Sequence, residues 1–355
     1  MKIAILHDSF IERGGSERST LLAAKHLNAD VYTTYIDRKN VDINLNGINI
    51  SELGLSFKRA KLLTFTEIAL KFLNFKPDNY DMFLFTDYHA ISAAKFCHPN
   101  IWICNSPIRI LYDLHDLVYK RLSLAQKPIF DLWCRIYKQF HQKWVRDIDK
   151  TVAISQNVAK RISKYYKIKP NVIYPPVETE KFKFKSYEDF YLAPGRLMRE
   201  KRIDLIIDAF KDLPDKNLVI VGDGPERSTL MKRASGSGNI QFLGTVSFDS
   251  LVNLYSRCTA TIYMPFNEDF GLVPVESMAS GKPCIAVNEG GCREAIINKR
   301  TGFLIKPTRD ELRKYVNILT PENANEMKNE CIKRSKMFDV EVFVKTIKKE
   351  MRSIA

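Results

Sequence analysis

Two glutamates, Glu268 and Glu276, stand with seven residues between them in the segment Asn267-Glu-Asp-Phe-Gly-Leu-Val-Pro-Val-Glu276. The segment follows the apolar run Ala260 to Met264, and Pro274 is favoured in the first turn of a helix, so the pattern predicts a helix starting near residue 272. Glu276 then lies in its first turn and Glu268 in the loop before it. Carboxylates accept hydrogen bonds from hydroxyls, and the first amides of a helix attract phosphate. Together they suit a ligand with hydroxyls on either side of a diphosphate. An acid in the first turn also stabilises a helix by about 0.3 to 1 kcal/mol through its dipole, and for Glu276 alone that is reason enough.

Three further glycine-bearing loops could meet such a ligand. Ala193-Pro-Gly195-Arg196-Leu-Met-Arg-Glu-Lys201-Arg202 follows the run Asp189 to Leu192 and offers a planar guanidinium and a point-charge ammonium, a combination suited to a diphosphate. Val221-Gly222-Asp223-Gly224-Pro225 reads as a tight turn first and a nucleotide contact second. Near the amino terminus, Gly14-Gly15-Ser16 leads from the first apolar run into a helical stretch, where backbone amides could approach a phosphate or simply turn the chain.

Such loops are useful only where a scaffold gathers them. Short β-branched runs alternate with helical stretches along the whole chain, the pattern of parallel sheets covered by helices. Strands are expected at Lys2–Leu6, Asp30–Thr33, Asp81–Phe85, Asn100–Cys104, Thr151–Ile154 and Asn171–Tyr174. A second set is expected at Asp189–Leu192, Asn217–Val221, Asn239–Leu243, Ala260–Tyr263, Pro283–Val287 and Gly302–Ile305. Open parallel sheets bind ligands beyond the carboxyl ends of their strands, where these loops fall.

Tyr174-Pro175-Pro176 can continue neither helix nor central strand, which places a boundary there. The expected organisation is a first domain over residues 1–175, a second over 176–336, and a returning helix over 337–355 with Val340, Phe343, Ile347 and Met351 on one face. A chain of 355 residues suits two cores, and 45% apolar with 27% charged residues is the balance of a globular protein rather than a disordered or fibrous one.

No run is apolar for long enough to cross a bilayer: Ile101 to Leu117 carries Arg109, Asp113, His115 and Asp116. The first residues reach His7 too soon for a signal peptide, so the expectation is a cytoplasmic protein. Seven scattered cysteines without a Cys-x-x-Cys pair read as free thiols, and no metal site is expected. The net charge of +14 draws the protein toward polyanions without choosing among them.

The Glu268-x7-Glu276 segment resembles the signature of glycosyltransferase family 4. Gly195-Arg196-Leu197 with Lys201, Gly222-Asp223-Gly224-Pro225, Phe242-Leu243-Gly244 and Gly290-Gly291 with Glu294 follow that family's donor-domain pattern in order. The first half is similar to the mannosyltransferases of O-antigen and related polysaccharide assembly: His7-Asp8 with Gly14-Gly15, Ser106-Pro107-x-Arg109 with Tyr112-Asp113, Ser155 with Arg161-Ile162 and Tyr165-Tyr166, and Val172-Ile-Tyr-Pro-Pro-Val177.

The resemblance implies a GT-B fold, two Rossmann-like domains facing across a cleft with a C-terminal helix docking back, and retaining transfer of a hexose. Mannose from GDP-mannose, moved to a lipid-linked or oligosaccharide acceptor, is the implied reaction; a UDP-sugar-dependent transfer of glucose, galactose or N-acetylglucosamine is the alternative. It implies that Arg196 and Lys201 neutralise the diphosphate, that Glu268 holds sugar hydroxyls and that Glu276 accepts from the ribose. Gly14, Gly15, Gly195, Gly222, Gly224, Asp269, Phe270, Gly271 and Leu272 would complete the donor site, and Asp8, Arg109 and His115 are acceptor-side candidates. No cofactor or metal is implied.

One departure matters. Relatives commonly carry a histidine before the Ser/Thr-Pro that follows Ile101–Cys104, and Asn105 stands there. Asparagine orients by hydrogen bonds but trades no proton near neutrality; His115, His7 and His89 are the other candidates for proton transfer.

From Val118 to Trp144, Lys120, Arg121, Lys127, Arg135, Lys138 and Lys143 mix with Phe130, Trp133, Tyr137, Phe140 and Trp144 against the single acid Asp131. Basic and aromatic residues at helical spacing suit an anionic bilayer surface, here the inner face of the cell membrane. No recognition helix or stacking motif accompanies them to suggest nucleic acid. The rivals are an epimerase or phosphorylase of the same fold, and a non-catalytic basic lipid- or nucleic-acid-binding protein.

Overall fold

The computed structural model describes residues 1–12, 14–38, 47–58, 60–76 and 79–355; Arg13, in the first glycine loop, lies outside them. The chain forms two compact units, one of Met1–Pro176 with Phe343–Ala355, the other of Val177–Val342.

The first unit is built on a parallel sheet of strands β1 (Ile3–His7), β2 (Asp30–Thr33), β3 (Ile50–Glu52), β4 (Met82–Phe85), β5 (Asn100–Cys104), β6 (Lys150–Ala153) and β7 (Asn171–Val172), in the order β3-β2-β1-β4-β5-β6-β7. β1, β4 and β5 are buried along their whole length, as strands covered by helices on both faces must be. The order reverses between β1 and β4, which pair in parallel from Ile3↔Met82 to Leu6↔Phe85. β3 was hidden in the sequence: Ile50-Ser51-Glu52 is a half-exposed edge with no apolar run to announce it. The helix Val340–Arg352 carries the expected stripe, with Phe343, Ile347 and Met351 buried. Its Glu350 accepts from Lys150 and Asn171 of β6 and β7.

The second unit repeats the plan with β8 (Tyr191–Pro194), β9 (Leu218–Val221), β10 (Ile240–Gly244), β11 (Ala260–Tyr263), β12 (Cys284–Val287) and β13 (Gly302–Ile305), ordered β10-β9-β8-β11-β12-β13. Here the reversal lies between β8 and β11. Its core joins Leu192's neighbours Tyr191 and Ala193 to Ile206, Phe210, Ile220, Ile262 and Ile285. The segment Lys336–Phe338 belongs to this unit: the Val177 amide donates to the Phe338 carbonyl, and the Phe338 ring packs 5.4 Å from Phe270. The part of the tail that joins the first unit therefore starts at Phe343, later than residue 337. All seven cysteines are free and buried.

Candidate functional site

At the reversal of the second sheet, β8 delivers a loop and a short 3-10 turn, Arg199–Lys201, while β11 delivers the loop Met264 to Leu272. Lys201 comes from the first and Glu268 from the second, and their Nζ and Oε2 atoms lie 2.6 Å apart. Lys201 Nζ also reaches the Tyr263 hydroxyl at 3.3 Å. Burial, with the Glu268 carboxylate next to it, holds the Tyr263 phenol well above its ordinary pKa, so it remains a neutral hydroxyl. The result is a partly exposed cation–carboxylate pair on a buried aromatic floor. Arg196 stands exposed on the loop just after β8.

The glycines around this pair serve close backbone packing. A Cβ on Gly222 would collide with the Gly195 carbonyl and one on Gly224 with the Leu197 carbonyl. The two loops are laced by Gly195 N–H to Val221 O and Leu197 N–H to Asp223 O, both 2.9 Å. Gly271, with φ 89°, lets the second loop pass the Tyr263 ring. Phe270 is buried against Phe338, while Asp269 and Leu272 are half-buried on the same loop.

Glu276 occupies the first turn of the helix Val273–Ala279, as its spacing predicts. It is only 5% exposed, and its Oε2 accepts from the Tyr255 hydroxyl at 2.7 Å. The two glutamates thus differ in setting: Glu268 faces a cation near solvent, and Glu276 is held under a tyrosine.

In the first unit, the reversal brings together the ends of β1 and β4. Both oxygens of Asp8 accept from the His89 amide at 3.1 Å and Oδ1 also accepts from Ala90 at 2.6 Å, so this carboxylate caps the 3-10 helix Ala90–Phe96. Burial pushes its pKa up to about 7 against those N–H bonds. Asn105, at the end of β5, donates from Nδ2 to Ser16 Oγ at 2.8 Å and to the Thr86 carbonyl. It ties the helix Gly15–Leu27, with Gly14 as its N-cap, to β4. Two donors on one nitrogen suit an amide, which explains how asparagine fills this place.

Arg109 is engaged with Asp113 through Nε at 3.1 Å and Nη2 at 2.7 Å. His115 stacks on Tyr119 and Phe130, with Asp116 at 3.2 Å and Asp131 at 3.5 Å. His7 and His89 are buried, and desolvation lowers both pKa values, that of His7 to about 3; both are neutral at physiological pH. Among the described residues there is no group of three metal-ligating side chains.

Sequence reading missed Asp87. It stands two residues past β4, 3.6 Å from His7 Nδ1, and burial raises its pKa well above the carboxylate range, with Asp8 and Glu17 adding to it. Its position after the run Asp81–Phe85, at a sheet reversal, was the available signal. Tyr255, Tyr263, Arg202 and Glu289 were also missed: Tyr263 reads as an ordinary residue of β11, and the other three lie outside the glutamate segment.

Of the Val118–Trp144 residues, Phe130 and Tyr137 turn inward to the first unit's core, where burial serves the fold rather than a surface. The outward face of the helix Gln126–Arg146 is instead Ile129, Leu132, Ile136 and Phe140, which are 66, 60, 48 and 53% exposed. No helix among the described residues is long and apolar enough to cross a membrane.

Comparison with known proteins adds four likenesses. Residues 176–338 match the family described as Glycosyl transferases group 1. The chain is 23% identical over 393 aligned residues to the alpha-1,3/1,6-mannosyltransferase ALG2 of Dictyostelium discoideum, covering 92% of this chain and 91% of that protein. It is 31% identical over 158 residues to the uncharacterized glycosyltransferase MJ1178 of Methanocaldococcus jannaschii, a match that spans 44% of this chain and 45% of that protein. Among solved structures, Anabaena Alr3699/HepE in complex with UDP superposes with a TM-score of 0.74 at 19% identity, over 99% of this chain and 100% of that one.

Proposed function

We propose that this chain, a hexosyltransferase of GT-B fold, is a retaining family 4 enzyme that moves mannose from GDP-mannose to a lipid-linked glycan in the assembly of a cell-surface polysaccharide. The observation that carries the donor site is the Lys201–Glu268 pair, 2.6 Å apart at the reversal of the second sheet. Likeness to a mannosyltransferase over nine-tenths of the chain supports mannose.

In this reading, negative charge gathers on the diphosphate as its bond to the sugar's anomeric carbon breaks. Arg196 and Lys201 meet that charge as fixed cations, the kind of preorganised stabilisation that contributes most to catalysis. Glu268 accepts hydrogen bonds from sugar hydroxyls, and Glu276, steadied by Tyr255, accepts from the ribose. The acceptor hydroxyl attacks the face that the diphosphate leaves, and its proton passes to the departing phosphate oxygen. The positive charge of this scheme comes from side chains, so it uses neither metal nor cofactor. The first unit supplies acceptor contacts, with Asn105 in an orienting part.

The enzyme works at the inner face of the cell membrane, held by the helix Gln126–Arg146. The same helix bears an exposed apolar row and the basic residues Lys127, Arg135, Lys138 and Lys143, a composition that favours an anionic bilayer. Nucleic acid is not a partner in this reading.

The test is to present GDP-, UDP-, ADP- and dTDP-sugars to the purified protein with metal removed, and to measure binding and slow hydrolysis. GDP-mannose is expected to respond. Response to a UDP-sugar alone would replace the mannose reading with a glucosyl, galactosyl or N-acetylglucosaminyl one. Activity that requires Mg²⁺ or Mn²⁺ would overturn the metal-free scheme.

A further inference from the structure

Two residues of the second unit that are not glycine hold a left-handed backbone next to the proposed donor pair. Arg202 follows Lys201 with φ 52°, and Asn267 precedes Glu268 with φ 44°. Glycine adopts this region freely and a side chain with a Cβ does so at a cost, so an arginine there must be offset by what its side chain does.

Both residues meet the same carboxylate. Glu289 accepts from Arg202 Nη1 at 3.2 Å and from Nη2 at 3.3 Å, a two-pronged contact, and its Oε2 also accepts from the Asn267 amide at 3.3 Å. The Arg202 guanidinium lies 5.1 Å over the Phe266 ring, and the Phe266 amide donates to the Glu200 carbonyl at 2.7 Å. Glu289 leads into Gly290, which packs on the Glu268 backbone so closely that no Cβ would fit, and the Gly291 amide donates to the Glu268 carbonyl at 2.9 Å.

We infer that Arg202 and Glu289 are positioning residues, a clamp that joins the turn carrying Lys201 to the loop carrying Glu268 and sets the spacing of that pair. The inference rests on the reading of Lys201 and Glu268 as the donor-side groups. Neither clamp residue touches the sugar nucleotide; each acts through the backbone beside a group that does. Arginine's fork is what the contact needs, since lysine offers charge without two parallel donors.

The clamp separates two effects that a merely structural contact would lose together. Arg202→Gly removes the fork but relaxes the backbone, so its melting temperature stays at or above the wild-type value. Turnover with the sugar nucleotide that the wild type hydrolyses falls roughly tenfold to a hundredfold, as misplacement of catalytic groups by about 1 Å can cost. Hydrogen exchange at the amides of residues 266–271 speeds up, and Arg202→Lys recovers part of the turnover. Glu289→Gln, which keeps the shape of the side chain, is the second variant should Arg202→Gly fail to fold, and speeds the same amides. Wild-type exchange and wild-type kinetics in the folded variants would overturn the clamp. Should the wild type turn over no sugar nucleotide, the functional reading fails, and the exchange comparison still decides the clamp.

Discussion

Tyr255 donates its hydroxyl to Glu276 at 2.7 Å, and neither side chain has appreciable contact with solvent. A hydrogen bond to a buried carboxylate contributes about 1.5 to 3 kcal/mol when one partner is charged. Tyr255→Phe keeps the ring and removes that donor, so it is expected to lower stability by about this amount and to raise the donor KM. Thermal unfolding and donor titration check the two effects. Wild-type values in both would show that Glu276 does not depend on this tyrosine.

The Lys201–Glu268 pair predicts different losses from its two members. In the proposed scheme Glu268 holds the reacting sugar, so Glu268→Ala is expected to cost about 10² to 10³ in turnover, the loss typical of removing one stabilising contact at a reacting centre. Lys201 faces the diphosphate in the same scheme, so Lys201→Ala should lower donor affinity together with turnover. Kinetics with varied donor, and calorimetry with GDP alone, separate the two. Wild-type turnover in both variants would refute the site.

Most of the sheet framework was legible because buried parallel strands read as short apolar runs. β2, β5, β11 and β13 fall on their expected residues, and the others shift by a residue or two at their ends. β3 escaped because an edge strand exposed on one side needs no such run. The glutamate segment was legible through Pro274 and its spacing. Its partners were not: Tyr255, Arg202 and Glu289 are ordinary residues until the fold brings Tyr255 to Glu276 and both Arg202 and Asn267 to Glu289. The aromatic helix shows the same limit. Phe130 and Tyr137 share their spacing with surface positions, and only packing separates the buried row from Ile129, Leu132 and Ile136.

His141 predicts a pH dependence. Burial lowers its pKa from 6.5 to about 4, and its Nε2–H donates to the Tyr88 carbonyl at 3.0 Å. A base whose pKa is depressed in the fold takes a proton in the unfolded chain first. Its contribution is intact above pH 6.5 and declines as pH falls toward 4, at about 1.4 kcal/mol per pH unit. Wild type should therefore lose stability relative to His141→Gln across that window. Denaturant unfolding of both proteins from pH 7 to 4 measures it, and parallel curves would contradict a neutral buried imidazole.

The proposed membrane contact can be tested at the exposed apolar row. Ile129, Leu132, Ile136 and Phe140 project from one side of their helix without covering the core, so Leu132→Glu and Ile136→Glu should change stability by no more than about 0.5 kcal/mol. The same variants place carboxylates where acyl chains and anionic headgroups would lie, and binding to vesicles of acidic lipid should fall sharply. Raised salt should release the wild type from those vesicles by screening its basic flank. Sedimentation with acidic and with neutral vesicles reads both effects. Equal retention on neutral lipid would remove the electrostatic part of the proposal, and undiminished binding of both glutamate variants would move the contact away from this helix.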